Sequence, residues 1–555
     1  MEAFRLAPAR APAAYLLAGA VAGLFAASGE ARWPAAPLLG GALAFSILCL
    51  LPSLLRGDRL WAPCFLLAAT AAFWAYGEQR LPHPPEPREL LAPIREQTLD
   101  LKILRIYRDP DPYGRATGIA KLTDSPPVGP LRAGDRIYFA ADRPPDEPSP
   151  FETGAVVRTT GLLEVLRPAA GDAPGRNFEE YLRDIGVHYR FARTGATARI
   201  APPGPFERFC YRSKDRLTEL LDQGAPEGQG VERVYKAMML GEKAELLPAQ
   251  KDRFRLSGTM HFFAISGLHI GVIAGVIAQA LLLLRVPRSI RPLLGLPLVY
   301  LYVEVTGGAP SAMRAFLMTA FFWVGIGLQR QRSSFAALVA SAVAVLIWDP
   351  LQLFSAGFQL SYAVVASILL FGLPLHGYLS NRLQPYRWLP PESWDWRHRS
   401  VRRAVELGSI LFSVSLAAWV ASAPLSAAFF GILSPGAVWI NMLLVHIAAL
   451  AIVSGVLAIT LGLIGLGLLT AFVNHAAWLL IALMESIVDL GLQLPATSIQ
   501  DAHFPLSAAY LSLALFYAWL AWLQRRRGRA QGPLLLASPL AVLLPLVFGL
   551  LGAAG

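Results

Sequence analysis

Residues 258–271 read GTMHFFAISGLHIG and bring His261, Ser266 and His269 to the start of an apolar run. Polar groups at a membrane helix end often line a passage. Gly267 and Gly271 in the same stretch would loosen a helix or let another backbone approach closely. The plainer alternative is a helix start with interfacial histidines. Hydrolytic chemistry is not indicated. The zinc-protease pattern HExxH is absent, and AISGL lacks the leading glycine of a GxSxG nucleophile elbow.

Arg314 is the charge that stands out in the later apolar half of the chain. A guanidinium in lipid is expensive, so this one should face a polar cavity or a partner. Glu304 precedes it across the Gly307–Gly308 turn and is the candidate for an ion pair. Arg314 is then either a brace between helices or a pore-lining cation. Glu485 and Asp489 share one face of a late helix and read as packing or interfacial groups.

Such residues need helices to position them, and composition says where these stand. Hydrophobic residues make up 55% of the 555 and charged residues 16%, against about 25% charged in an ordinary globular chain. Residues 14–28, 36–55, 60–77, 262–284 and 506–523 run almost without charge. Runs of about 20 residues match the hydrocarbon layer. A backbone in lipid must satisfy its own hydrogen bonds, so these runs should be helices. The expected fold class is a polytopic α-helical membrane protein with about thirteen transmembrane helices, about three before residue 78 and about ten between residues 262 and 551. The last is expected over 534–551. The alternation of a membrane β-barrel is absent.

The net charge is +11. Its basic residues gather in short loops, at Arg285, Arg288, Arg291, Arg330 and Arg332 and within 382–403 and 525–529. That is positive-inside bias rather than a nucleic-acid signal. Arg5, Arg10, Arg56 and Arg59 put the N-terminus in the cytoplasm and residues 78–256 on the far side. Cys49, Cys64 and Cys210 suggest neither a metal site nor a disulfide framework.

The polar insert divides in two. Residues 98–106, 116–122, 135–141 and 156–166 alternate apolar and polar, with turn signals between them, and 187–200 reads as a final strand. About five strands suit a small OB-like barrel. Residues 177–185 read as a short helix. Arg105, Tyr107, Arg108 and Tyr113 could form a small nucleic-acid groove, with edge packing as the plainer role. Residues 206–256 space their apolar positions at three and four and read as an amphipathic helical connector resting on the membrane unit. The expected domains are 1–77, 78–205, 206–256 and 257–555.

The stretch 258–271 resembles the signature of the ComEC family, the inner-membrane DNA channels of natural competence. GGAPSAMRAFLM at 307–318 is similar to the family's Gly-rich turn followed by a Ser and an Arg-Ala pair. SAGFQLSYAVVASILLF at 355–371, which holds Gln359, resembles its GFQLS helix. SAPLSAAFFG at 422–431 and the following Asn441 resemble a later helix pair, and GRNFEEYLRDIGV at 175–187 resembles the end of its OB-like domain. The resemblance implies a multi-pass protein of the bacterial inner membrane that passes single-stranded DNA. It makes His261, Ser266, Gly267, His269, Arg314, Gln359 and Asn441 candidates for the translocation pathway. The sequence departs from the family at His446, where a Pro often follows the Asn, and holds no HxHxDH metal motif of the metallo-β-lactamase-like domain found in many members. A separate nuclease, a DNA receptor and a cytoplasmic translocation ATPase are then the expected partners, beside membrane lipids and a second copy of the chain. No cofactor, metal or enzymatic role is expected. The alternative is a transporter or flippase for another anionic substrate that reuses the fold.

Overall fold

Small residues let the first helices pack at backbone distance. They are α1 (Pro12–Ala27), α2 (Ala35–Leu54) and α3 (Trp61–Arg80). A Cβ added at Gly19 of α1 would fall 2.5 Å from the Ala69 Cβ of α3, and one at Gly23 would collide with the Thr70 carbonyl. The computed structural model describes residues 12–29, 33–54, 61–81, 95–108, 114–124, 131–142, 149–166, 178–192, 195, 197–225, 230–243, 246–328, 333–494, 497–500, 502, 504–525 and 531–554. Arg5, Arg10, Arg56 and Arg59, which carry the expected orientation, lie outside the described residues, as do Tyr113, Arg330 and Arg332.

The alternating stretches fold as β1 (Arg95–Arg108), β2 (Arg115–Leu122), β3 (Arg136–Asp142) and β4 (Val156–Val165), followed by α4 (Phe178–Asp184), β5 (Tyr189–Ala192) and β6 (Thr197–Ala201). The sheet closes in the order β1-β2-β3-β5-β4 and back to β1, with β3 and β5 parallel. This is a small closed barrel of OB-like form. β1 closes it by serving two neighbours: its first half pairs with β4 and its second half with β2. Register breaks after Ile103 and Ile106 bend the strand between these duties. Gly118 is required opposite them, because a Cβ there would collide with the Arg105 carbonyl oxygen. Leu101, Ile103, Ile137, Phe139 and Phe191 fill the interior.

One expectation is corrected here. The final strand over 187–200 is two strands, β5 and β6, set end to end along one edge of β4. Between them the Gly195 N–H donates to the Thr160 carbonyl at 2.7 Å. β5 is also held by β3 and β6 is not, so the stretch divides. Tyr107 takes the packing role rather than a place in an open groove. Its ring meets Phe178 of α4 at 5.9 Å, and burial pushes its hydroxyl pKa well up.

Three helices lead from the barrel: α5 (Pro205–Asp222), α6 (Val231–Leu240) and α7 (Pro248–Leu256). The remaining helices are α8 (Gly267–Leu283), α9 (Arg291–Val305), α10 (Pro310–Gly327), α11 (Ser334–Trp348), α12 (Ala356–Ser367), α13 (Leu373–Arg382), α14 (Trp396–Phe430), α15 (Ala437–Leu463), α16 (Gly467–Leu492), α17 (Leu506–Arg525), α18 (Gln531–Leu536) and α19 (Leu540–Ala554). A π turn, Ile368–Gly372, joins α12 to α13. Gly372 there lets α14 come close, since a Cβ would sit 3.2 Å from the Ser413 carbonyl. The helix expected over 534–551 is interrupted by a turn at 537–539, where Pro539 cannot donate to the ladder, while Gly532–Val547 still forms one apolar helical stretch.

Among the described residues five helices are long and apolar enough to cross a bilayer: Ala356–Arg382, Trp396–Phe430, Ala437–Leu463, Gly467–Leu492 and Leu506–Gln524. Ala13–Ala27, Ala35–Leu48, Gly267–Leu283, Ser334–Trp348 and Gly532–Val547 are shorter apolar helices. The expectation of about thirteen crossings exceeds what length and hydropathy give here. α6 is no mere surface connector. Tyr235, Met238 and Met239 are fully buried in the largest apolar cluster, with Leu444 and Ile452 of α15 and Ile481 of α16.

Candidate functional site

The ISGLHIG stretch builds a capped helix start. Ser266 is the N-cap of α8, and its hydroxyl accepts from the Leu268 N–H at 3.2 Å. His269 answers as the third residue of a capping box: its Nδ1 accepts from the Ser266 N–H at 3.3 Å and lies 3.0 Å from the Ser266 hydroxyl. An accepting Nδ1 leaves the proton of a neutral ring on Nε2. That nitrogen is fully buried and has no hydrogen-bond partner. His261 stands earlier, in the 3₁₀ turn Met260–Phe263, exposed and with its ring 4.3 Å from that of Phe262. Its Nδ1 lies 3.2 Å from the Gly258 carbonyl. Gly267 and Gly271 face open space, since a Cβ at either would meet nothing within 4 Å.

Arg314 lies elsewhere on α10. Ala312 and Ala315 of that helix pack with Ile265 and Ile270 of the α8 start. Arg314 projects to another side, where a Cβ added to Gly357 of α12 would sit 3.2 Å from its Nη2. His269 and Arg314 share no hydrogen-bond partner. Arg314 is only 4% exposed. Its Nη1 donates to the Gln352 Oε1 at 3.4 Å, and its Nε has no partner. The expected Glu304–Arg314 ion pair is not formed. The Gly307–Gly308 turn takes positive φ at both residues, and the Glu304 carboxylate folds back against Gly308. Among the described residues no carboxylate lies within 4 Å of the guanidinium.

Gln352 was not legible as a site residue, although the run DPLQLFS signals a polar turn. It lies in the 3₁₀ turn Pro350–Phe354, and its Nε2 donates to the Asp349 Oδ2 at 3.3 Å. Asp349 in turn lies 3.6 Å from Nη2 of Arg136 on β3. The barrel and Arg314 thus stand at one end of the helical block, linked by a short polar chain.

Of the remaining candidates, Gln359, Glu485 and Asp489 are held by structural bonds. The Gln359 amide donates to the Leu353 carbonyl and to the Tyr510 hydroxyl, both at 2.9 Å, which ties α12 to α17. Asn441 is half-buried in the second turn of α15, and its Oδ1 has no partner. Glu485 and Asp489 hold α7 to α16: Arg253 donates to Asp489 at 2.7 Å, and Gln250 to Glu485 at 3.0 Å. Asn474 escaped notice in the sequence because a lone Asn in an apolar run carries no pattern. It is fully buried and donates to the Leu220 and Gln223 carbonyls, closing the C-terminus of α5. Among the described residues no three His, Cys, Asp or Glu side chains gather as a metal site.

The arrangement offers a buried, unneutralised cation beside a helix start. A helix N-terminus is itself positive, so the pair suits an anion. The model of a family described as competence protein matches residues 238–526. The chain is 27% identical over 257 residues to ComE operon protein 3 of Bacillus subtilis, covering 45% of this chain and 32% of that protein. It is 26% identical to Recombination protein 2 of Haemophilus influenzae, covering 41% of this chain and 28% of that protein. It is 31% identical to competence protein ComA of Neisseria gonorrhoeae, covering 27% of this chain and 22% of that protein. The chain thus spans about a third or less of the length of these curated relatives. No solved structure matches it.

Proposed function

Because the chain belongs to the competence protein family, we propose that it forms the membrane passage for single-stranded DNA during natural transformation. Arg314 carries this reading. A polyanion crossing an apolar block needs positive or dipolar groups along its path, and here a buried guanidinium has no acid to neutralise it among the described residues. Burying a charge without a counter-ion is costly, and a passing phosphate offsets that cost.

In this reading residues 1–77 and 257–555 make the membrane unit, 78–205 the OB-like domain outside the cytoplasm, and 206–256 the connector. The five shorter apolar helices, with α3, α9 and α10, join the five long ones to give about thirteen crossings of a bacterial inner membrane, the layer thinning where a helix is short. The chain supplies the passage and no catalysis. A nuclease, a DNA receptor and a cytoplasmic ATPase act as separate partners.

Deletion of the gene tests the proposal when DNA held at the surface and DNA reaching the cytoplasm are measured separately. The expected result is retained binding and lost passage. Undiminished passage sinks the reading. Arg314 would serve any anion, so a transporter or flippase for another anionic substrate is the second reading. It gains if passage of DNA survives deletion while export or uptake of an anionic solute fails.

A further inference from the structure

We propose that the Arg314 guanidinium and the first turn of α12 form a binding site for a single phosphate group. α12 has 12 residues, and its N-cap is Ser355, whose hydroxyl accepts from the Phe358 N–H at 3.2 Å. The amides of Ala356 and Gly357 have no acceptor inside the helix, as the first turn of any helix requires. Arg314 would normally be placed at a helix C-terminus or beside a carboxylate. Here it lies against Gly357, at the positive end, with its Nε unpartnered and the whole residue 4% exposed. Two positive groups meet at one corner, the buried guanidinium and the exposed first turn at Gly357, and neither is neutralised among the described residues.

A phosphate resolves that conflict. Its oxygens accept from the guanidinium on one side and from the first-turn amides on the other. Gly357 is the residue that permits the arrangement. A Cβ there would sit 3.2 Å from Nη2, so the guanidinium would have to shift by about a few tenths of an ångström, out of line with the first-turn amides. Gln352 sets the fork's orientation through Nη1. The site deepens the DNA reading, since a phosphodiester is the repeating group of that polymer. It also fits a lipid headgroup, which carries the same chemistry.

The test uses the full chain in phosphatidylcholine nanodiscs, titrated with inorganic phosphate and with a short oligothymidine, and followed by phosphorus-31 line broadening. Wild type should bind both. Arg314→Gln should weaken both about tenfold or more, the loss of a charge-assisted contact. Gly357→Ala should weaken both severalfold while leaving every charge in place, which keeps the test open if Arg314→Gln fails to fold. Equal binding by wild type and a folded Arg314→Gln protein, or no binding by wild type, overturns the site. Discs doped with phosphatidylglycerol then assign its source. Oligonucleotide binding that the lipid blocks marks a headgroup site, and binding that persists marks a nucleic-acid site; both keep the phosphate assignment. Arg314-dependent binding in a chain whose deletion leaves DNA passage intact keeps the site and removes the DNA reading.

Discussion

Arg136 of the barrel reaches Asp349 at the end of α11, with 3.6 Å between Nη2 and Oδ2. This ion pair joins the barrel to the helical block and connects with Arg314 through Gln352. Arg136 is 41% exposed at its side chain, so the bridge contributes under about 1 kcal/mol. It marks where the barrel sits rather than what holds it. Paired Arg136→Cys and Asp349→Cys substitutions should therefore cross-link with a short bis-maleimide in intact membranes. No cross-link with both cysteines reactive would show that the barrel rests elsewhere.

Arg314→Ala should reduce DNA passage at least about tenfold, with protein level and surface binding near normal, because it removes a full charge from the proposed path. Arg314→Lys should keep part of the activity if charge alone matters, and less if the planar fork is needed. Since Glu304 is turned back on Gly308, Glu304→Gln should neither mimic nor rescue Arg314→Ala. Rescue of an unstable Arg314→Ala protein by Glu304→Gln would make Arg314 a brace. Transformation frequency and immunoblotting of membranes read both effects.

Arg158 donates two hydrogen bonds to Asp100 across β4 and β1, at 2.7 and 2.6 Å. This bond, with the adjacent charge, holds the Asp100 carboxyl below the usual carboxylate range. A lowered folded pKa places the stabilisation above the unfolded value, about 3.9 for Asp, and removes it as pH falls through the folded one. Arg158 is mostly in solvent, so the effect is small. Asp100→Asn should flatten the acid limb of barrel unfolding, read by hydrogen exchange of β1 and β4 on acidification below about pH 4. An unchanged acid limb would show that the pair is not coupled to folding.

Gly271 of α8 faces open space. Gly271→Ala should leave the protein level unchanged or higher, since Ala is about 1 kcal/mol better in a helix. Gly271→Leu should also accumulate normally, because no neighbour opposes it. A folded Gly271→Leu protein with reduced DNA passage would make that face part of the path or of a contact between copies. Failure of Gly271→Leu to accumulate would contradict the open geometry.

The elements were legible where a single local rule decided them. Alternation located β1 to β4, and uncharged length located α17 within a few residues. The errors fell where distant contacts ruled. The break between β5 and β6 depends on which of them β3 can reach, and no local pattern states that. The polarity of residues 206–256 suggested a surface, yet α6 lies inside the apolar cluster because Tyr235, Met238 and Met239 share one buried stretch. Arg314 stood out by charge alone. Its neighbours Gln352 and Gly357 did not, since their role depends on α10, α12 and the turn before α12 meeting in space.

No Lys, Arg, Asp or Glu occurs between Ala437 and Met484, and this uncharged hairpin covers α6 and receives α5. Asn474 bonds to Leu220 across 254 positions of sequence. During synthesis α5 and α6 emerge long before the hairpin that shelters them. Until it arrives, the apolar face of Met238 and Met239 is covered only by earlier residues such as Phe254, Phe262 and Phe263, and a partly covered face attracts chaperones and proteases. The order of translation thus makes this hairpin the late clasp of assembly. A ribosome stalled before residue 437 would release a chain that the cell's quality control should recognise as unfinished.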